Sequence, residues 1–175
     1  MKKMLAMLLA VLTLCFGAAA MAESVPEVDD AAEQAALTDL TANGQLIEGD
    51  GFQFYIPADW EVGELTDENA ANGMVFVSYD ADEEHGLALA YTSLETEITI
   101  EALYDEIVKE YPAALMQDLN GTPVIAYADS ENDMVNIIVM DTVDPGYYIF
   151  MFTPASDADF LPVADAIAAS YTAVQ

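Results

Sequence analysis

The 175-residue sequence predicts an α+β domain in which an antiparallel β-sheet is sandwiched between helices. Three observations carry that expectation. Short runs of alternating apolar residues are separated by tight-turn pairs, so strands pair with their neighbours as hairpins. One stretch, 99–111, repeats its apolar residues at helical spacing. Two later strands, MVNIIVMDT (134–142) and YYIFMFT (147–153), are apolar almost throughout, which requires cover on both faces of the sheet.

The chain opens MKKMLAMLLAVLTLCFGAAAMA. Lys2 and Lys3 form a positive start, 5–16 an apolar run, and Ala20-Met21-Ala22 a small-residue cleavage motif. This pattern predicts a signal peptide over 1–22, cut before Glu23, and an extracytoplasmic mature chain. Leu14 stands where a lipoprotein signal wants a small residue, so lipidation at Cys15 is not expected. The sole cysteine leaves with the signal, and the core must hold without disulfides.

Export also leaves one basic residue, Lys109, against 32 acidic ones. Surface scaling puts these net charges roughly 15 Å apart, beyond the ~8 Å screening length of physiological salt. Nucleic acid and anionic membranes are excluded as partners, because almost no cation remains to meet a phosphate. Crowded carboxylates are expected to have pKa values raised by mutual repulsion, so stability should rise as the pH falls from neutral.

In chain order, 23–44 is an acidic, Ala-rich linker with a possible helix over 30–40, where Ala36, Leu37 and Leu40 make a thin apolar stripe. Residues 45–48 and 52–56 read as a hairpin about Gly49-Asp50-Gly51, with Phe52, Phe54 and Ile56 on one face. Pro57 ends it, and Trp60 is expected to fold back onto the core. Residues 61–72 read as irregular. Strands over 73–79 and 87–93 flank the acidic turn DADEEHG.

The helix over 99–111 has Thr99 as N-cap, Ile100, Leu103, Tyr104, Ile107, Val108 and Tyr111 inward, Lys109 four residues beyond Asp105 as its pair, and Pro112 as its stop. Asn120-Gly121 joins strands 115–119 and 122–128 in a two-residue hairpin. Pro123 suggests a sheet edge there. A closing helix lies near 159–171, with Pro162 acceptable only in its first turn.

The strand-Pro-x-x-Trp stretch GFQFYIPADW, the mid-chain amphipathic helix, the Asn120-Gly121 hairpin, the apolar strand pair and the closing Ala-Ala-Ser-Tyr together resemble the PsbP-like superfamily. The resemblance covers 45–175. That group includes the extrinsic protein of the photosynthetic oxygen-evolving complex, a Ran-binding nuclear import factor and many small exported bacterial proteins. It implies an antiparallel sheet between helices and a non-catalytic binding or accessory role. The photosynthetic member docks largely through lysines, and only Lys109 remains here, so no functional residue carries over.

Candidate chemistry is sparse. His85 is the sole histidine, set in a charged turn with no nucleophile motif nearby, which makes a hydrolase built on it the remotest reading. Asp80, Asp82 and Glu84 alternate like the start of a calcium loop but lack its glycine and distant glutamate. The expectation is a secreted, non-enzymatic module with no cofactor, docking an extracellular protein or cell-surface component. A calcium-responsive protein is the alternative.

Overall fold

The computed structural model describes residues 29–174; the expected signal peptide over 1–22 with its cleavage before Glu23, Cys15, and residues 23–28 lie outside the described residues. Among the described residues no helix is long and apolar enough to cross a membrane.

Among the described residues, four helices and ten strands follow in the order α1 (Asp30–Asn43), β1 (Gln45–Gly49), β2 (Phe52–Ile56), β3 (Glu61–Val62), α2 (Asp67–Ala71), β4 (Met74–Tyr79), β5 (Gly86–Ser93), α3 (Ile100–Glu110), β6 (Leu115–Leu119), β7 (Thr122–Asp129), β8 (Met134–Met140), β9 (Gly146–Thr153), α4 (Leu161–Ala169) and β10 (Thr172–Ala173). A seven-stranded sheet runs β3-β4-β5-β9-β8-β7-β6, and a separate three-stranded sheet runs β1-β2-β10. Every pairing is antiparallel.

The first hairpin therefore leaves the main sheet and covers it. Phe52, Phe54 and Ile56 bury the inward face of β2, as alternation predicts. They join Leu87, Leu89, Ile137, Phe150 and Phe152 of the large sheet, Leu37 and Leu40 of α1, and Leu161, Ala164 and Ile167 of α4 in one core. The opposite face of the large sheet carries Ile125, Tyr127 and Ile138 beneath Ile100 and Leu103 of α3. Met74, Val77, Ala88 and Met151, with Leu65, form a smaller cluster on that side. Both faces of β8 are covered, so six of its seven residues are buried.

Local chemistry explains most boundaries. Thr99 caps α3 by accepting a hydrogen bond from the Ala102 amide at 3.3 Å. Pro162 falls in the first turn of α4. Asn120 and Gly121 take φ of 51° and 88°, the left-handed pair that a two-residue hairpin turn requires. Gln45 steadies the turn after β2: its Nε2 donates to the carbonyls of Pro57, Ala58 and Trp60 at 3.1, 3.1 and 2.8 Å. Trp60 lands in the core, 6.0 Å from the Phe160 ring centroid.

Four expectations change. Pro123 is not on an edge: β7 lies between β6 and β8, but pairing with β8 begins only at Val124, so the missing N–H of Pro123 breaks no ladder bond. Residues 61–72 hold β3 and the single-turn α2, capped by Thr66, both too short to show a period. Lys109 pairs with Glu106 rather than Asp105. The helix over 30–40 is formed and docked through Leu37 and Leu40, extending to Asn43.

Docking of α1 on α4 brings two acids into partly buried positions. Asp165 on α4 is pushed up to about 7, by burial first and then by the charge of Glu33 on α1. Glu33 is also raised, by burial and then by Asp30. At these two acids the direction is the one charge crowding predicts, with burial the larger cause. Asp80, Glu101 and Asp157 are instead lowered by hydrogen bonds, against that expectation. Because the folded-state pKa of Asp165 exceeds its ordinary 3.8, its contribution to stability is full below about pH 4 and is lost as the pH rises through about 7. Asp165→Asn is expected to raise the melting temperature at pH 8 by about 3–5 °C and to flatten its decline between pH 5 and 8. An unchanged pH profile in that variant would contradict this assignment.

Candidate functional site

The acidic turn between β4 and β5 is where the sequence-derived candidates meet the structure. β4 ends at Tyr79 and β5 begins at Gly86, and the connection is closed by the Asp80 amide donating to the His85 carbonyl at 3.0 Å. Inside it the Asp80 carboxylate is used twice: Oδ1 accepts the Glu84 amide at 2.8 Å, and Oδ2 meets His85 Nδ1 at 2.7 Å. The other imidazole nitrogen, Nε2, reaches Asp157 Oδ2 at 3.0 Å. Phe160 lies under the ring at 4.6 Å between centroids.

Of the four residues singled out by sequence, the structure brings Asp80 and His85 together. Asp82 and Glu84 point into solvent. Among the described residues no group of three His, Cys, Asp or Glu side chains is placed to hold a metal ion. Asp157 is the partner that sequence reading missed. It lies 72 residues from His85, in the connection between β9 and α4, and no local pattern marks it.

Two carboxylates facing both ring nitrogens favour the doubly protonated imidazolium, which alone can donate to each. Partial burial pulls the His85 pKa down, but the hydrogen bonds to Asp157 and Asp80 outweigh it and the net shift is upward. For Asp80, burial pushes the pKa up, yet the bonds from His85 and the Glu84 and His85 amides bring it below its ordinary value. Asp157 is lowered by its bond from His85 and then by the Asp159 amide. The result is an ionic staple that holds the β4–β5 turn against the connection leading into α4. Its imidazole keeps its proton to a higher pH than a free histidine does.

A polar cleft of about 520 Å³ lies between α1, the β6–β7 turn and the end of α4. Several of its hydroxyls are already committed: Thr38, Thr41 and Ser170 donate to the carbonyls of Gln34, Leu37 and Ile167 at 2.8, 2.9 and 2.7 Å. The Tyr171 hydroxyl, which also lines the cleft, is buried without a hydrogen-bond partner among the described residues.

The staple has a defined pH window. The raised His85 pKa makes its contribution complete below the ordinary value near 6.5 and lost as the pH rises through the folded value. The lowered pKa values of Asp80 and Asp157 make theirs present above about 3.8 and lost in stronger acid. His85→Ala is expected to lower the melting temperature by about 3 °C at pH 5.5 and by less at pH 9. An equal loss at both pH values would mean that only ring packing on Phe160 matters.

The sequence matches no protein-family model and no curated protein. The structure is similar to the solution structure of cyanobacterial PsbP from Synechocystis, at a TM-score of 0.53 and 17% identity, over 76% of this chain and 94% of that one. It is also similar to a crystal structure from Bacteroides thetaiotaomicron, at a TM-score of 0.56 and 16% identity, over 76% of this chain. There the match spans about half of the other chain, 49%. At such identities the likeness is one of architecture. With its antiparallel sheet between helices, the chain has the PsbP-like fold.

Proposed function

We propose that this chain is a non-enzymatic docking module that works at the cell exterior as an accessory to an extracellular protein or cell-surface component. One observation carries the reading: large apolar side chains stand exposed on strands near the sheet borders of an otherwise acidic surface. Leu46 on β1, Val62 on β3, and Leu115 and Met116 on β6 are 45%, 54%, 45% and 42% exposed, and Val143 in the β8–β9 connection is 41% exposed. Apolar groups left in water at strand borders are sites where another chain gains by covering them. The commitment of His85 to its two carboxylates supports the same reading, since it leaves the one imidazole engaged in holding two connections together.

The test is photo-cross-linking in the cell that makes the protein. A photoreactive residue is placed, one variant at a time, at Leu46, Val62, Met116 and Val143. A discrete adduct of fixed mass at any of these positions is expected. Uncross-linked chain at all four positions would overturn the docking reading.

A further inference from the structure

The two edges of the seven-stranded sheet are β3 and β6, and they are built differently. At one edge β3 is only two residues long, and its neighbour β4 changes register between Met74 and Phe76. Short strands and bulges are the devices by which proteins deter edge-to-edge pairing. At the other edge β6 pairs with β7 in unbroken register, from Leu115 opposite Ala126 to Leu119 opposite Thr122. It has neither device.

The register identifies which backbone groups look outward. The residues flanking a two-residue hairpin turn, here Leu119 and Thr122, bond to each other, and bonding alternates along the strand. Leu119, Gln117 and Leu115 therefore turn their amides toward β7, while Met116 and Asp118 turn N–H and C=O away from the sheet. The position of Pro123 opposite Asp118 fits this phase, since its ring nitrogen then faces away from β6. Leu115 and Met116 project to opposite faces, so the edge offers an apolar contact above and below an added strand.

Charge specifies the occupant. Exposed Glu110 ends α3, five residues before Leu115, and exposed Asp118 lies on β6 itself. The Tyr104 hydroxyl donates to the Ala114 carbonyl at 3.2 Å, tying α3 to the start of β6. The one lysine of this region is paired with Glu106. A second copy of a chain carrying a net charge of −29 is a poor match for such an edge.

We propose that β6 receives an extended, lysine- or arginine-rich segment of a partner protein, which adds an eighth strand to the large sheet. This deepens the docking reading and rests on it. Main-chain bonds to Met116 and Asp118 hold the added strand, Leu115 and Met116 pack its alternate side chains, and the acidic surround selects for positive charge.

The experiment uses the full chain and a labelled heptapeptide alternating Lys and Val, with a Glu–Val peptide as control. Fluorescence polarisation is expected to show binding of the Lys peptide that weakens severalfold from 50 to 300 mM NaCl, and binding of the Glu peptide at least about tenfold weaker. Met116→Pro, which removes one outward N–H and no bond to β7, is expected to reduce affinity about tenfold. Met116→Lys, which leaves the backbone intact, is expected to do the same through charge. Amide exchange at Met116 and Asp118 should slow when the Lys peptide is added. Absence of binding would overturn the proposal, as would binding without that slowing, or protection of both amides before any peptide is present. Cross-linked adducts at Leu46, Val62 or Val143 with none at Met116 would leave the docking function standing and remove only β6 as its surface.

Discussion

The structure depends on one apolar contact, the packing of β2 across the inner face of the large sheet. Phe54 is fully buried and sits edge-on to Phe76 and Phe150, both at 5.3 Å between ring centroids. Phe52 continues the row onto Tyr148 at 5.6 Å. Aromatic pairs in this geometry add to the gain from burying large apolar surfaces. The same contact sets the position of everything on that side. The small sheet carries β10, the Tyr55 amide donates to Ser170 Oγ at 2.9 Å where α4 ends, and α1 closes over the gap with Leu37 and Leu40.

A chain with 32 acidic residues and three basic ones cannot satisfy its carboxylates by ion pairing. Backbone amides do much of that work instead. Asp29 caps α1, and Asp80, Asp118, Asp129, Asp133, Asp141 and Asp157 each accept an amide hydrogen bond in a turn or connection. Aspartate is suited to this because its short side chain reaches amides two to four residues on. Asp133 reaches further, taking both the amide and the hydroxyl of Ser156 at 2.8 Å and so holding the β7–β8 turn to the β9–α4 connection. Part of the acidity therefore has a structural use: it shapes the turns between strands. In the docking proposed at β6, Glu110 and Asp118 supply the charge that would select a cationic segment.

The elements most readable in the sequence were those whose side chains obey a local period. The stripe of α3, the alternation of β2, the continuous burial of β8 and the Asn120-Gly121 turn each follow from residues within a few positions of one another. Elements below that range were hidden. β3 and β10 are two residues long and exist only because a neighbouring strand offers them partners. The helical status of 30–43 was similarly open, since a stripe as thin as Leu37 and Leu40 is stable only when another surface receives it. At the candidate site, Asp80 and His85 were visible in one turn, but Asp157 comes from a connection that only the folded chain brings near.

By itself, the sequence determined the class of the fold, the central strands, the main helix and the strong negative charge. These follow from periodicity, turn chemistry and charge, all of which act over short distances or through simple composition. Tertiary structure alone decided that the first hairpin leaves the main sheet to cover it, that β7 lies inside the sheet despite Pro123, and that His85 is shared by two carboxylates. It also decided that β6, and not β7, forms an unprotected edge. Each of these depends on which surfaces meet across long stretches of chain, and local residue patterns carry no record of that.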